Sequence, residues 1–349
     1  MKKNNYIKIN PKYYSQHNFL LYCNDILVRW LLWFDEKRLR TLTINFKDEK
    51  EMMDFQNASE EDIMEWLKNN GYEKEMYELN RRHILCSLVS DFCHYMLESF
   101  RCASKMKPAV AYALLRKPLR DNLAYIEWLR VEPNELIDKL MYSKPEEYDL
   151  SHAKEVKKAR IEQIEKDYGI VRKKGMFEFR YEKNNEISLE KIWNKANHIV
   201  TTQNYTRSAN GELNFVFVDH ERWEQMTEYY YIVVPMIMSY AVELIVGMFE
   251  EIAGINEFTH MINKTMLTLH QAYGVGDSYY REAKDTLEIK RFPIVCPYCG
   301  KKIDMYNAVD KLLFDKYKCN RWSCRKKLNA SNYIFDFEEL NPYMVDESD

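Results

Sequence analysis

Four cysteines near the C-terminus are paired at short spacings, and this pairing constrains the fold more than any other feature of the chain. Two residues separate Cys296 from Cys299, nineteen residues follow, and four residues separate Cys319 from Cys324. Four thiolates in two tight pairs can close a tetrahedron around Zn²⁺, which gives a structural site without an open coordination position. Gly300 supplies backbone freedom where the chain doubles back. The sequence therefore predicts one structural Zn²⁺, with four buried, unligated cysteines as the alternative.

The segment around these cysteines resembles the zinc-ribbon family. The resemblance covers about residues 290–330 and rests on the run CPYCGKK, which begins at Cys296, together with the second cysteine pair. It implies a small β appendage that the metal stabilises, and it implies no function. The spacing between Cys319 and Cys324 is the one departure from the commonest pattern.

Charge is distributed unevenly along the chain. The formal net charge is −3, but residues 290–328 contain eleven Lys or Arg against three Asp, whereas residues 329–349 contain six acids and no Lys or Arg. A basic segment on an otherwise acidic chain predicts contact with a polyanion. The alternative is that the basic segment docks against the acidic remainder or the acidic tail.

The basic segment includes a cluster of cations around one aromatic residue, and we predict that this cluster binds nucleic acid. Such a cluster suits phosphates together with one stacked base. It equally suits a grip on a partner protein. The residues are Arg321, Trp322, Arg325, Lys326 and Lys327.

Apolar periodicity predicts a mainly α protein. Long helical patterns occupy Tyr13–Phe34, Glu73–Arg101, Lys107–Arg130 with a kink at Pro118, Trp223–Glu251 and Asn256–Tyr273. We therefore predict a multi-helix bundle over residues 1–285, a small C-terminal β zinc ribbon over residues 286–335 and an acidic tail over residues 336–349.

The segment Tyr229–Phe249 is almost wholly apolar and long enough to span a bilayer. Its near flanks are Glu228, Glu250 and Glu251 rather than basic residues. We interpret it as the central helix of the bundle and predict no membrane association. The metal-type cysteines and the lack of an apolar leader predict a cytoplasmic protein.

Motifs of the common cofactor enzymes are not found in the sequence, which contains nine glycines and no glycine-rich nucleotide fingerprint. Two other runs resemble the HEPN class of bacterial helical proteins. They are ALLRKPLRDNLAYIEWL, beginning at Ala113, and EKIWNKANHIVTTQ, beginning at Glu190. The resemblance covers about residues 80–255, with a HEPN-like core at about 73–255. Many members are metal-independent ribonucleases of toxin or phage-defence systems that act as dimers, so the resemblance implies a homodimer.

The HEPN signature is an Arg followed four to six residues later by a His. Here Lys195 precedes His198 without an Arg at that spacing, and Arg116 or Arg120 on a neighbouring helix could replace it. The His can move a proton near neutral pH, and a guanidinium can stabilise a charged phosphorane-like state. The alternative is a structural His198 and a structural ion pair between Arg116 and Asp121.

Two functions follow from the sequence. The first is a nucleic-acid-directed protein, and the resemblance implies an RNA-cleaving toxin or defence effector that binds RNA or DNA. The second is a non-catalytic sensor or adaptor whose zinc ribbon binds a protein partner.

Overall fold

Helices dominate the computed structural model of this protein. It describes residues 9–59, 63–150, 153–167, 175–183, 188–204, 206–214, 220–255, 257–287, 294–296, 298–314 and 316–328. The predicted mainly α fold class is confirmed. The predicted β ribbon is represented by two short antiparallel strands and one isolated bridge between Val295 and Lys302.

The element bounds are as follows. The helices are α1 (Tyr14–Glu36), α2 (Glu49–Asn57), α3 (Ile63–Asn69), α4 (Glu73–Ser104), α5 (Pro108–Arg116), α6 (Leu123–Val131), α7 (Pro133–Tyr142), α8 (Pro145–Tyr148), α9 (Lys154–Asp167), α10 (Met176–Tyr181), α11 (Leu189–Asn197), α12 (His220–Ala253), α13 (Glu257–Val275), α14 (Asp277–Thr286) and α15 (Met305–Phe314). A 3-10 turn (Pro11–Tyr13) precedes α1, and a π-helical segment (Lys117–Asn122) joins α5 to α6. The strands are β1 (Tyr317–Lys318) and β2 (Lys327–Leu328).

The chain divides into two compact units. The first contains residues 1–30, 100–107 and 221–349, and the second contains residues 31–99 and 108–220. The cysteine segment, defined here as the described residues from 294 to 328, lies in the first unit together with α13 and α14. The boundary predicted near residue 285 stays a prediction.

Helix α12 forms much of the core of the first unit. Over its most apolar window the mean hydropathy is 2.0, and 72% of that window is buried inside the protein. Trp30 of α1 stacks on Phe249 with ring centroids 5.8 Å apart. Among the described residues α12 is the one helix whose length and composition would let it cross a membrane, and its burial matches that of a core helix.

The second unit contains helices that sequence reasoning did not predict, among them α2 and α10. The polar sequence of residues 41–57 predicts a connection between helices, yet these residues include α2. The N-cap residue of α2, Asp48, accepts a hydrogen bond from the Glu51 amide at 2.8 Å. Residues 175–185 read as loop or extended chain, yet they include α10, most of whose side chains are buried. The Asp48-x-x-Glu51 spacing is a capping box and was a readable signal for α2.

The kink predicted at Pro118 takes the form of the π-helical segment. Proline has no amide hydrogen and its ring crowds the carbonyl one turn earlier, so the i→i−4 ladder cannot continue through it. The Leu123 amide instead donates to the Pro118 carbonyl, five residues back. The sequence Leu213–Val218 has the apolar character of a strand. This run falls largely outside the described residues, and Leu213 and Asn214 are not in a strand.

Candidate metal centre

The first cysteine turn, defined here as Cys296 to Lys301, is closed by its own backbone. The Cys296 carbonyl accepts hydrogen bonds from the amides of Cys299 at 3.2 Å and Gly300 at 2.8 Å. Gly300 has φ +68°, in the left-handed region where glycine is least strained. The Cys296 amide donates to the Lys301 carbonyl at 2.9 Å, so the turn is also the end of a short hairpin.

The second cysteine turn, defined as Cys319 to Lys326, repeats this design with two extra residues. The Arg321 carbonyl accepts from the amides of Cys324 at 3.0 Å and Arg325 at 3.1 Å, and Arg325 has φ +47°. The Cys319 amide donates to the Lys326 carbonyl at 2.9 Å. Arg321 thus accepts the hydrogen bonds in the second turn that Cys296 accepts in the first. Cys319 lies two residues before Arg321, and this offset explains why four residues separate Cys319 from Cys324 whereas two separate Cys296 from Cys299.

The four sulfur atoms converge on one point. All four Sγ atoms lie within 4.8 Å of one another. The Cys296–Cys324 and Cys299–Cys319 Sγ pairs are 3.8 Å and 3.7 Å apart. A tetrahedral site with metal–sulfur bonds of about 2.3 Å has sulfur–sulfur edges of about 3.8 Å. The geometry therefore fits a four-coordinate ion, and four thiolates are the donor set of Zn²⁺ or of iron.

The cysteine thiols differ in how readily they ionise. Burial raises the pKa of Cys296 to about 12, and burial also raises the pKa of Cys319. Burial opposes the Cys299 thiolate too, but the hydrogen bond from the Lys301 amide and those involving neighbouring thiols lower its pKa to about 7. Because all four ligands must lose their protons, metal binding at this site releases protons.

The metal centre shares an apolar core with three helices. Cys296 and Cys319 belong to the same buried cluster as Met266 of α13 and Tyr280 of α14. Helix α15 fills the nineteen residues between the cysteine pairs and packs Val309 into this cluster. The small β appendage predicted for this segment is present only in part, because the described segment contains a helix as well as two short strands.

The sequence contained a signal for α15. Asp304 lies directly before the helix, and its side chain accepts hydrogen bonds from the Tyr306 amide at 3.1 Å and from Asn307. The buried residues that follow recur at helical spacing. They are Met305, Ala308, Val309 and Leu312.

The solvent side of the two turns is basic and aromatic, and we name it the basic aromatic surface. Trp322 is 86% exposed and Tyr298 is 51% exposed. The cations on and beside these turns are exposed, and none has a carboxylate ion-pair partner among the residues that the structure describes. These cations are Lys301, Lys302, Lys316, Lys318, Arg321, Arg325, Lys326 and Lys327.

Two of the predicted nucleic-acid-binding residues make contacts between the turns. Arg321 Nη1 donates to the Cys299 carbonyl at 2.8 Å, which ties the second turn to the first. Lys326 Nζ lies 5.5 Å from the ring centroid of Tyr298. All five predicted residues lie on or directly beside the second turn.

The residues predicted for catalysis lie in the second unit and are not brought to one place. Arg120 contacts Glu190 at 3.2 Å and Asp121 at 3.1 Å. Glu190 lies in the first turn of α11, whereas His198 caps its other end, eight residues away. Eight residues of helix span about 12 Å. The structure therefore holds Arg120 and Asp121 at the end of α11 opposite His198.

The other two catalytic candidates also differ in setting. Lys195 is exposed in the last turn of α11, and Arg116 is half-buried at the end of α5. The His198 carbonyl accepts a hydrogen bond from the Asn214 side chain at 2.8 Å. A catalytic role for these residues stays a prediction from the HEPN resemblance.

A buried charged cluster, which sequence reasoning missed, lies beside Arg120. Arg180 of α10 is fully buried, forms an ion pair with Glu127, and donates to the Leu119 carbonyl at 2.7 Å and to the Tyr181 hydroxyl at 2.6 Å. The Tyr181 hydroxyl donates to the Arg120 carbonyl at 2.8 Å. Both carbonyls belong to the π-helical segment, so this irregular backbone is held by side chains from α10.

Lys157 of α9 is the third cation of this cluster. It is 6% exposed, and its ammonium lies 4.4 Å from the ring centroid of Tyr181. Burial, followed by the positive charges of Arg120 and Arg180, lowers the pKa of Lys157 to about 8.

We expect replacement of Lys157 by methionine to stabilise the second unit at pH 7. Between pH 8 and about 10.4 the unfolded chain binds the Lys157 proton and the folded chain does not, so this residue makes stability rise with pH. The Lys157→Met variant should be more stable at pH 7 by roughly 1–2 kcal/mol, allowing for solvent screening. Urea unfolding at pH 7 and pH 10 checks this, because the advantage should vanish at the higher pH. Replacement of the half-exposed neighbour, Lys158→Met, is the control, and an equal gain there would contradict the assignment.

No protein-family model matches this chain, and no curated protein and no solved structure is significantly similar to it. The fold and the site together define a mainly helical protein with a cluster of four cysteines that can hold one metal ion.

Proposed function

We propose that this protein binds Zn²⁺ through Cys296, Cys299, Cys319 and Cys324 and uses the basic aromatic surface to bind nucleic acid. The observation that supports the proposal is the set of exposed cations without carboxylate partners among the described residues, which lie on and beside the turns that carry Tyr298 and Trp322. A surface of one sign attracts a polyanion and gains free energy from the release of its counterions.

The arrangement of the strands supports a polyanion as the partner. Lys318 of β1 lies directly opposite Lys327 of β2, and both side chains are exposed. Like charges in directly opposed positions destabilise a strand pair. A row of phosphates near both ammonium groups would offset this repulsion, which a neutral or cationic partner would not do.

The metal connects the fold to the proposed binding surface. Each turn places a ligand next to a surface residue: Cys299 follows Tyr298, and Cys324 follows Trp322 by two positions. A bound ion would hold both turns in one arrangement and so keep the surface residues preorganised for binding. Zn²⁺ is the natural choice for a closed thiolate site, and iron is the other outcome when the metal content of the purified protein is measured.

Charge reversal on the second turn tests the proposal. We expect the double variant Lys326→Glu, Lys327→Glu to weaken binding to a labelled oligonucleotide at least tenfold at low salt. The plot of log affinity against log salt should also become shallower, by about 0.7 (single strand) to 0.9 (duplex) for each phosphate that the variant no longer neutralises. Fluorescence anisotropy across a salt series measures both quantities.

The matched control carries the same charge change elsewhere. Lys50 and Lys74 are exposed residues of α2 and α4, so Lys50→Glu, Lys74→Glu alters the net charge equally. An equal loss of affinity in both double variants would show that the effect comes from the net charge of the protein, and it would contradict the proposed surface. Absence of oligonucleotide binding by the metal-loaded protein would also contradict it and would favour the adaptor function.

A further inference from the structure

We propose that the basic aromatic surface takes single-stranded nucleic acid, with bases stacked on Trp322 and Tyr298 and phosphates on the surrounding cations. This inference rests on the proposed function and adds the class of substrate. It follows from the exposure of two aromatic rings on turns that the metal site would hold rigid.

The ring of Trp322 is exposed to solvent and gains no stability from burial in the protein core. At 86% exposure it is the most exposed large apolar side chain among the described residues. The turn beneath it is closed by hydrogen bonds from Cys324 and Arg325 to the Arg321 carbonyl. An exposed ring on an ordered backbone can accept a planar partner with little loss of conformational freedom. A base is such a partner, since each base has a π-face.

Tyr298 provides a second ring on the same platform. Lys326 Nζ lies 5.5 Å from the centroid of this ring, which places a cation where a phosphate next to a stacked base can reach it. The hydrogen bond from Arg321 to the Cys299 carbonyl joins the residue before Trp322 to the residue after Tyr298. Each ring therefore belongs to a residue next in sequence to this contact between the turns, and we expect the two rings to serve neighbouring bases of one strand.

A duplex cannot use these rings in the same way. Its bases are already stacked on one another and paired, so access to a ring requires unstacking. Stacking of one base on an aromatic side chain changes affinity by about fivefold to a hundredfold. The rings thus favour a single strand, whereas the cations alone would favour any polyanion.

The experiment compares four probes against the metal-loaded full chain. The probes are a 12-nucleotide oligouridine RNA, a 12-nucleotide oligothymidine DNA, a duplex of the same length and inorganic polyphosphate. The proteins are the parent, Trp322→Ala, Trp322→Phe and the control Trp223→Ala, in which a half-exposed tryptophan of α12 is removed. Anisotropy competition gives the affinities, and quenching of tryptophan fluorescence reports stacking.

We expect the single strands to bind at least tenfold more tightly than the duplex. Trp322→Ala should lower the affinity for the single strands by about fivefold to a hundredfold and leave polyphosphate binding unchanged. Trp322→Phe should recover much of this affinity, and Trp223→Ala should match the parent. A preference between the RNA and DNA probes identifies which single strand is the better substrate.

Failure of this inference is distinguishable from failure of the proposed function. Equal binding of duplex and single strand, with no effect of Trp322→Ala, would overturn the inference. The proposed function, charge-dependent binding of nucleic acid by this surface, would then be unaffected. An equal decrease of polyphosphate and oligonucleotide binding in Trp322→Ala would also overturn it, because the effect would then be electrostatic or structural. Binding of none of the four probes by the parent protein would overturn both.

Discussion

The Cys299→Ser variant should lose its metal and, with it, the ordered structure of the cysteine segment. In a structural site the free energy of metal binding is folding free energy, about 10–16 kcal/mol for small zinc domains. Cys299 is partly exposed and serine is nearly the same size, so the change in packing at this position is small. Any loss of metal and of ordered structure in this variant would therefore result from the missing Cys299 thiolate.

The consequences should reach beyond the two turns. Because Cys296 and Cys319 share a buried cluster with Met266 and Tyr280, removal of the metal should loosen α15 and its packing against α13 and α14. Metal content measured by mass spectrometry should fall from one ion per chain to none. Hydrogen exchange should rise over residues 298–314 and 316–328.

A cysteine outside the cluster is the control for this prediction. Cys102 is a free, partly exposed cysteine of α4, so Cys102→Ser should retain one metal ion and the exchange pattern of the parent. Retention of the ion by Cys299→Ser, with unchanged protection of α15, would show that the four-sulfur site is wrongly assigned.

The Arg180→Leu variant should destabilise the second unit by about 3–5 kcal/mol. The change removes the guanidinium that pairs with the buried Glu127 carboxylate, and it removes the donors to the Leu119 carbonyl and the Tyr181 hydroxyl. A buried charge that loses its partner costs far more free energy than an exposed one. Urea unfolding at pH 7 measures the decrease in stability.

A second variant separates the free energy lost with the ion pair from the free energy lost through changed packing. The double variant Arg180→Leu, Glu127→Leu removes both charges, and we expect it to recover much of the stability. Arg160→Leu is the comparison, because its partners Glu132 and Glu135 are about half-exposed and water can solvate them. A destabilisation in Arg180→Leu no larger than that in Arg160→Leu would contradict the assigned role of the buried pair.

Local sequence signals predicted much of the fold because they act within a few residues. Helices α1, α4 and α12 follow from apolar periodicity over three or more turns, which is sufficient to define one buried face. The four-cysteine cluster was also readable, since each pair of cysteines lies in one turn of six to eight residues. The predicted pairing of these cysteines into a single cluster is confirmed, and the identity of the ion stays a proposal.

Weaker local signals were missed where they were short. The capping box of α2 and the Asp304 cap of α15 were present in the sequence, but each helix has only 9 or 10 residues. Few apolar positions fit into so short a segment, so the pattern is hard to separate from a loop.

Contacts between distant segments were decided only by the tertiary structure. Arg180 and Glu127 are 53 residues apart, and Arg120 and Glu190 are 70 apart, so no spacing rule relates them. The sequence by itself determined the long helices and the four-cysteine cluster, because hydrogen bonding within a helix and placement of two cysteines within a turn are short-range effects. Only the packing of α11 against α5 decided that Arg120, in the π-helical segment that follows α5, binds Glu190, because pairing of buried charges depends on which helices are neighbours in space.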